Sequence, residues 1–180
     1  EYAVVDTLAD VYRIEKQYDN AVFYYDKAVK LILRKGLKNK WATYFLRGIA
    51  HDQSGNWEAA KADLYKAREL SAENPEVLNY LGYSLIERRE KLIEALEMIE
   101  NAVSQKPESG YIVDSLAWCL FRLGRYKEAV APMERAIELE PTDPIVNDHL
   151  GDVLWMVGRK REAKFQWNKA LIFGATLENS

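Results

Sequence analysis

A small residue returns at one phase along this 180-residue chain: Ala28, Ala67, Ala102, Ala136 and Ala170 lie 39, 35, 34 and 34 residues apart. A second small residue keeps step with it, at Ala9, Gly48, Gly82, Ala117 and Gly151. Such a period constrains the fold more than any composition does. Each unit is too short to enclose its own apolar surface, so neighbours must stack and bury it jointly. Within a unit the apolar residues recur at helical spacing, as in Leu81, Leu85 and Ile86 followed by Leu92, Leu96, Ile99 and Val103. That spacing predicts two helices per unit, brought close where the small residues stand.

Aligning the small residues places repeat starts near Tyr2, Trp41, Pro75, Gly110 and Pro144. The expectation is a single array over 1–180, with repeats near 2–40, 41–74, 75–109, 110–143 and 144–177. Asn74 and Asp143 are placed as N-caps, ahead of Pro75 and Pro144, which lack the backbone N–H that would be orphaned there. Gly55, Gly124 and Gly158 fall between the helices of a pair, where a left-handed residue ends the first helix. Pro107 and Pro141 stop second helices. Three irregularities stand out. The first spacing is long, which predicts an elongated helix or loop near Leu33 to Lys40. The third repeat gains one residue within Glu87 to Lys91 and lacks the glycine. Pro132 falls inside a predicted helix, where it removes one backbone donor.

The phrases Leu116-Ala117-x-x-Leu120 with Ala129-x-x-x-Met133-x-x-Ala136, and Leu150-Gly151-x-x-Leu154 with Ala163-x-x-x-Trp167-x-x-Ala170, resemble the tetratricopeptide (TPR) pattern. The resemblance covers nearly the whole chain. It implies an all-α, TPR-type α-solenoid of five helix-turn-helix repeats in a right-handed superhelix. The activity it implies is the holding of a protein partner on the concave face.

Composition fits such a module. The chain is 48% hydrophobic and 29% charged, enough to bury a continuous core. A net charge of −3 with both signs interspersed argues against nucleic acid, whose phosphates require a concentrated basic face. The basic runs Arg34 to Lys40, Arg88 to Lys91 and Arg159 to Arg161 all fall at turns. Cys119 is the one cysteine, so no disulfide or thiolate metal site forms within a chain. No apolar stretch is long enough for membrane insertion. The sequence does not begin with Met and opens at a repeat boundary, so a longer parent carrying any targeting segment is expected.

By resemblance, the groove is lined by the second, fifth, ninth, twelfth and thirteenth residues of each first helix. These positions carry an apolar set, Phe45, Ile49, Tyr83, Ile86, Tyr111, Trp118, Phe121, Ile145, Trp155 and Met156. They also carry an acidic set, Asp6, Asp10, Asp52, Glu76, Glu87, Asp114, Asp148 and Asp152, against Arg13 and Arg122. Asn79 supplies an amide at these positions. Trp118 and Trp155, on successive first helices beyond the consensus Leu116 and Leu150, stand out as partner anchors. Core packing is the competing reading for the rings, and solubility for the aspartates. The expected partner-binding residues are Phe45, Asn79, Tyr83, Asp114, Trp118, Phe121, Asp148, Asp152 and Trp155. The clamp that holds acidic chaperone tails needs Lys and Asn, but Asp6 and Asp10, Phe45 and Ile49, or Asp114 and Trp118 stand there. A basic or apolar segment is therefore the expected partner.

No phosphate-binding loop, paired zinc histidines or G-x-S-x-G elbow is present in the sequence. The best catalytic grouping, Asp148, His149 and Asp152 with Asp114, is one imidazole among solvated carboxylates, and His149 and His51 read as packing residues. No catalytic, cofactor or metal residue is expected.

The runs Leu78-Asn79-Tyr80-Leu81-Gly82-Tyr83-Ser84-Leu85, Asp114-Ser115-Leu116-Ala117-Trp118 and His149-Leu150-Gly151-Asp152-Val153-Leu154-Trp155 are similar to a bacterial TPR subgroup. That subgroup includes envelope lipoproteins, some of them adaptors of carboxyl-terminal processing proteases. The likeness implies a periplasmic, outer-membrane-anchored parent and an adaptor role, with a cytoplasmic location as the alternative. A scaffold that works through exposed solenoid ends, around Phe165, Leu171 and Phe173, is the rival function.

Overall fold

The computed structural model describes residues 1–178, and helices are the regular elements among them. Ten helices form five antiparallel pairs: α1 (Tyr2–Ile14) with α2 (Tyr18–Lys35), α3 (Trp41–Gln53) with α4 (Trp57–Leu70), α5 (Pro75–Glu87) with α6 (Leu92–Gln105), α7 (Gly110–Arg122) with α8 (Tyr126–Leu139), and α9 (Pro144–Met156) with α10 (Lys160–Glu178). This is the TPR-type helical solenoid that the repeat pattern implies. The chain divides into two compact units, Glu1–Val77 and Leu78–Ser180.

The small residues act as expected. Tyr25, Leu64, Ile99 and Met133, each three residues before a repeat alanine, are fully buried. A Cβ on Gly48 would lie 3.0 Å from Leu64 Cγ, and one on Gly82 would lie 2.7 Å from Ile99 Cγ1. A large side chain from the second helix therefore seats against the bare backbone of the first. Burying each such side chain contributes about 1.5–3 kcal/mol.

Helix ends follow local chemistry. Asn74 Oδ1 accepts from the N–H groups of Glu76 and Val77 at 3.0 and 3.2 Å, and Asp143 Oδ1 from those of Ile145 and Val146 at 2.8 and 3.0 Å. Gly55, Gly124 and Gly158 take φ of 83°, 77° and 88° between paired helices. Where the third repeat lacks glycine, Arg89 and Lys91 adopt φ of 56° and 44°. The extra residue is thus accommodated by two left-handed side-chain-bearing residues. The long first spacing is taken up by α2, which runs 18 residues before Gly36 ends it at φ 60°. α8 continues through Pro132.

In the first unit, Arg47 forks onto Asp63 at 2.7 and 2.7 Å and reaches Asp26 at 2.8 Å. Asp63 is buried, and the bidentate guanidinium satisfies its charge. No helix among the described residues is long and apolar enough to cross a membrane.

Candidate functional site

The second unit brings the first helices α7 and α9 side by side, together with α5. Eight of the nine expected binding residues sit on these three helices. Asn79 is buried on α5, and Tyr83 is half-buried one turn later. Asp114 and Trp118 are buried on α7, and Phe121 is half-buried. On α9, Asp148 is exposed, Asp152 half-buried and Trp155 exposed. Phe45 belongs to the first unit, half-buried with its ring 6.2 Å from that of Trp41.

Trp118 differs from the expectation that neighbouring residues already fill the packing positions. It is 9% exposed. One ring neighbour is Phe121, stacked at 4.8 Å, and the other is His149, stacked at 3.9 Å. Its Nε1–H donates to Glu87 Oε1 at 2.7 Å, and Arg122 Nη1 donates to the same oxygen at 2.9 Å. Trp118 is thus an inter-helix packing residue with a satisfied polar handle. Ile86 is likewise fully buried and lines no open face. Trp155 is 38% exposed, tilted against Trp167 at 5.4 Å, with Lys160 Nζ 5.0 Å from the ring centre.

The acidic set is largely engaged within the chain. His149 Nδ1 lies 3.0 Å from both oxygens of Asp114. Carboxylate oxygens accept, so the ring Nδ1–H is the donor of this contact. In the first unit Asp6 accepts from Tyr2 and Thr43 at 3.0 Å, and Asp10 accepts from the Tyr25 hydroxyl. Asp152 accepts from Trp167 Nε1 at 3.1 Å. Burial, and after it the charge of Asp148, raises the Asp152 carboxyl above its usual range. The like-charge pair on α9 is therefore energetically visible. Asp148 remains exposed beside it.

Sequence reasoning missed a cavity of about 240 Å³ lined by Asn79, Tyr80, Tyr83, Tyr111, Asp114, Ser115, Asp143, Ile145 and Val146. Ser115 occupies the phase held by Tyr80 and His149 in the flanking repeats. Its small side chain, folded back to donate to Tyr111 O at 2.9 Å, leaves space that a ring would fill. A small residue at a phase where both neighbours are aromatic was the available signal.

Residues 88–144 match one family model described as Tetratricopeptide repeat, and residues 5–33 match a second with the same description. No curated protein sequence matches the chain. Among solved structures it is similar to MamA 41-end from Desulfovibrio magneticus RS-1, with a TM-score of 0.79 and 16% identity over 97% of this chain and 96% of that one. It is also similar to a MamA RS-1 double mutant, at TM-score 0.78 and 15% identity over 99% and 97%. MamA AMB-1 aligns at TM-score 0.76 and 19% identity over 96% and 98%. At these identities the structural likeness speaks to fold. The repeat phase, the five helix pairs and the two family matches converge: the chain belongs to the tetratricopeptide repeat family.

Proposed function

We propose that the chain is a non-catalytic module that holds a protein segment along the first-helix face of its second unit. The observation that carries this reading is the set of apolar side chains left open there. Tyr111 and Ile145 at the starts of α7 and α9, and Trp155 and Met156 at the end of α9, are all exposed. They occupy groove positions of the family, whereas Leu116, Leu150 and their neighbours pack inward. Open apolar area of this kind, rimmed by carboxylates such as Asp148, suits an extended basic or apolar segment.

The likeness to envelope TPR lipoproteins supports a finer reading, in which the parent sits in the bacterial envelope and brings a carboxyl-terminal processing protease to its client. One face would hold a segment while another engages the second protein, raising their effective concentration. The purified chain should then hydrolyse no client alone and should accelerate cleavage by the protease. A cytoplasmic parent, or unchanged cleavage rates in a strain lacking it, contradicts the adaptor role.

A second reading is favoured by a different observation. Phe165, Leu171 and Ile172 are exposed on α10, and Val4, Val11 and Ile14 on α1. These faces suit an assembly scaffold that contacts partners through the helices bounding the array. Mass that rises with concentration, abolished by Leu171→Glu but not by Trp155→Ala, would favour assembly over groove binding.

A further inference from the structure

The cavity between α5, α7 and α9 has two kinds of wall. Tyr83, Tyr111 and Ile145 give it apolar and aromatic sides. Its polar lining includes Asn79, 7% exposed, whose buried Oδ1 has no hydrogen-bond partner, and Asp114, 5% exposed, whose two oxygens both meet His149. A buried carbonyl without a donor is destabilising in the free protein, and a donor that enters relieves it. Both groups accept hydrogen bonds, and one carries negative charge. Tyr83 registers the same field: its hydroxyl is pushed up to about 12, by burial first and then by Glu87 and Asp114.

We propose that this cavity is a specificity pocket for the cationic head of one arginine or lysine side chain in the bound segment. The Asn79 amide turns its Oδ1 toward an N–H of the head, Asp114 supplies the counter-charge, and Tyr83 and Tyr111 flank the apolar stem. Aromatic faces favour a cation over a neutral head of the same shape. The stem matches the apolar sides, as long basic side chains do when their methylenes lie on apolar surface. This inference rests on the groove reading above and adds which side chain the groove selects.

Nuclear magnetic resonance titration of the whole chain tests it with four small probes: the N-acetyl methylamides of arginine, lysine, citrulline and norleucine. Citrulline keeps the arginine shape without the charge, and norleucine keeps the stem alone. At least one cationic probe should shift the Asn79 side-chain amide and the backbone signals of Tyr83, Tyr111 and Ile145. It should bind about tenfold tighter than citrulline or norleucine, the scale of one charge-assisted hydrogen bond. Comparing arginine with lysine shows which head fits. Asn79→Leu should lose about tenfold in cation affinity without a lower melting temperature, because it removes an orphaned acceptor. Asp114→Asn, which keeps an acceptor for His149, should lose cation preference while remaining folded. Equal binding of citrulline or norleucine at the same residues overturns the cation pocket and leaves the groove reading standing. Unchanged cation binding by both variants overturns the assignment of Asn79 and Asp114. Shifts confined to α6, α8 or α10 overturn pocket and groove together, and an absence of shifts with all four probes overturns the pocket.

Discussion

The imidazole of His149 on α9 lies flat against the indole of Trp118 on α7, with ring centroids 3.9 Å apart and planes 10° apart. The same imidazole meets Asp114 on α7, so one side chain ties the two first helices by stacking and by a hydrogen bond. Trp118 should therefore behave as core. Trp118→Ala is expected to lower unfolding stability by about 3–5 kcal/mol. Trp155→Ala, at an open position, should cost about 1 kcal/mol or less. Urea unfolding of both variants checks the contrast.

The stack also predicts non-additivity. His149→Ala and Trp118→Ala, made singly and together, should show a coupling of about 0.5–1.5 kcal/mol, the range of an aromatic pair in contact. Additive costs in the double-mutant cycle would mean that the rings merely lie near each other.

Asp152 gives a pH-dependent prediction. Its folded-state carboxyl is raised above the unfolded value, so the folded chain favours the protonated form. The associated stability is complete below the ordinary carboxylate range and is lost as pH rises through the raised value. At neutral pH the charged group is therefore a cost. Asp152→Asn retains an oxygen for Trp167 Nε1 and should raise the melting temperature at pH 7. The gain should shrink at about pH 4, near the ordinary aspartate value.

Backbone packing supplies two opposite expectations. Gly82→Ala sets a Cβ 2.7 Å from Ile99 Cγ1 and 3.1 Å from Ala95 O, and Ile99 is fully buried. A loss of about 1–3 kcal/mol is expected from overpacking. Arg89→Gly relieves a left-handed residue at φ 56° and should raise stability by up to about 1 kcal/mol. Thermal unfolding of the two variants should move in opposite directions.

The helix pairs were legible because their information is local and repeated. Ala28 and its successors mark the phase, Asn74 and Asp143 carry their own caps, and Gly55, Gly124 and Gly158 mark the turns. The site was less legible because a position names a face, not the use of that face. Asp114 and Trp118 occupy groove positions, yet His149, 35 residues beyond Asp114, engages both. Nothing local to α7 announces that contact. The cavity is lined in part by Ser115, smaller than Tyr80 and His149 at the same phase, a relationship across three repeats. Trp155 packs beside Trp167 at 5.4 Å and still keeps 38% of its surface exposed.

The central claim is that a protein segment lies along the first-helix face of the second unit. The most direct measurement is position-specific photo-crosslinking in the full-length protein within the organism that makes it. A photoreactive residue replaces, in turn, Tyr111 and Trp155 on that face, Glu97 and Lys127 on second helices, and Phe165 on α10. Capture of the same partner from Tyr111 and Trp155, competed by a synthetic peptide of the captured segment and missing from Glu97 and Lys127, is the predicted result. Capture only from Phe165 or from the second-helix positions would contradict the account.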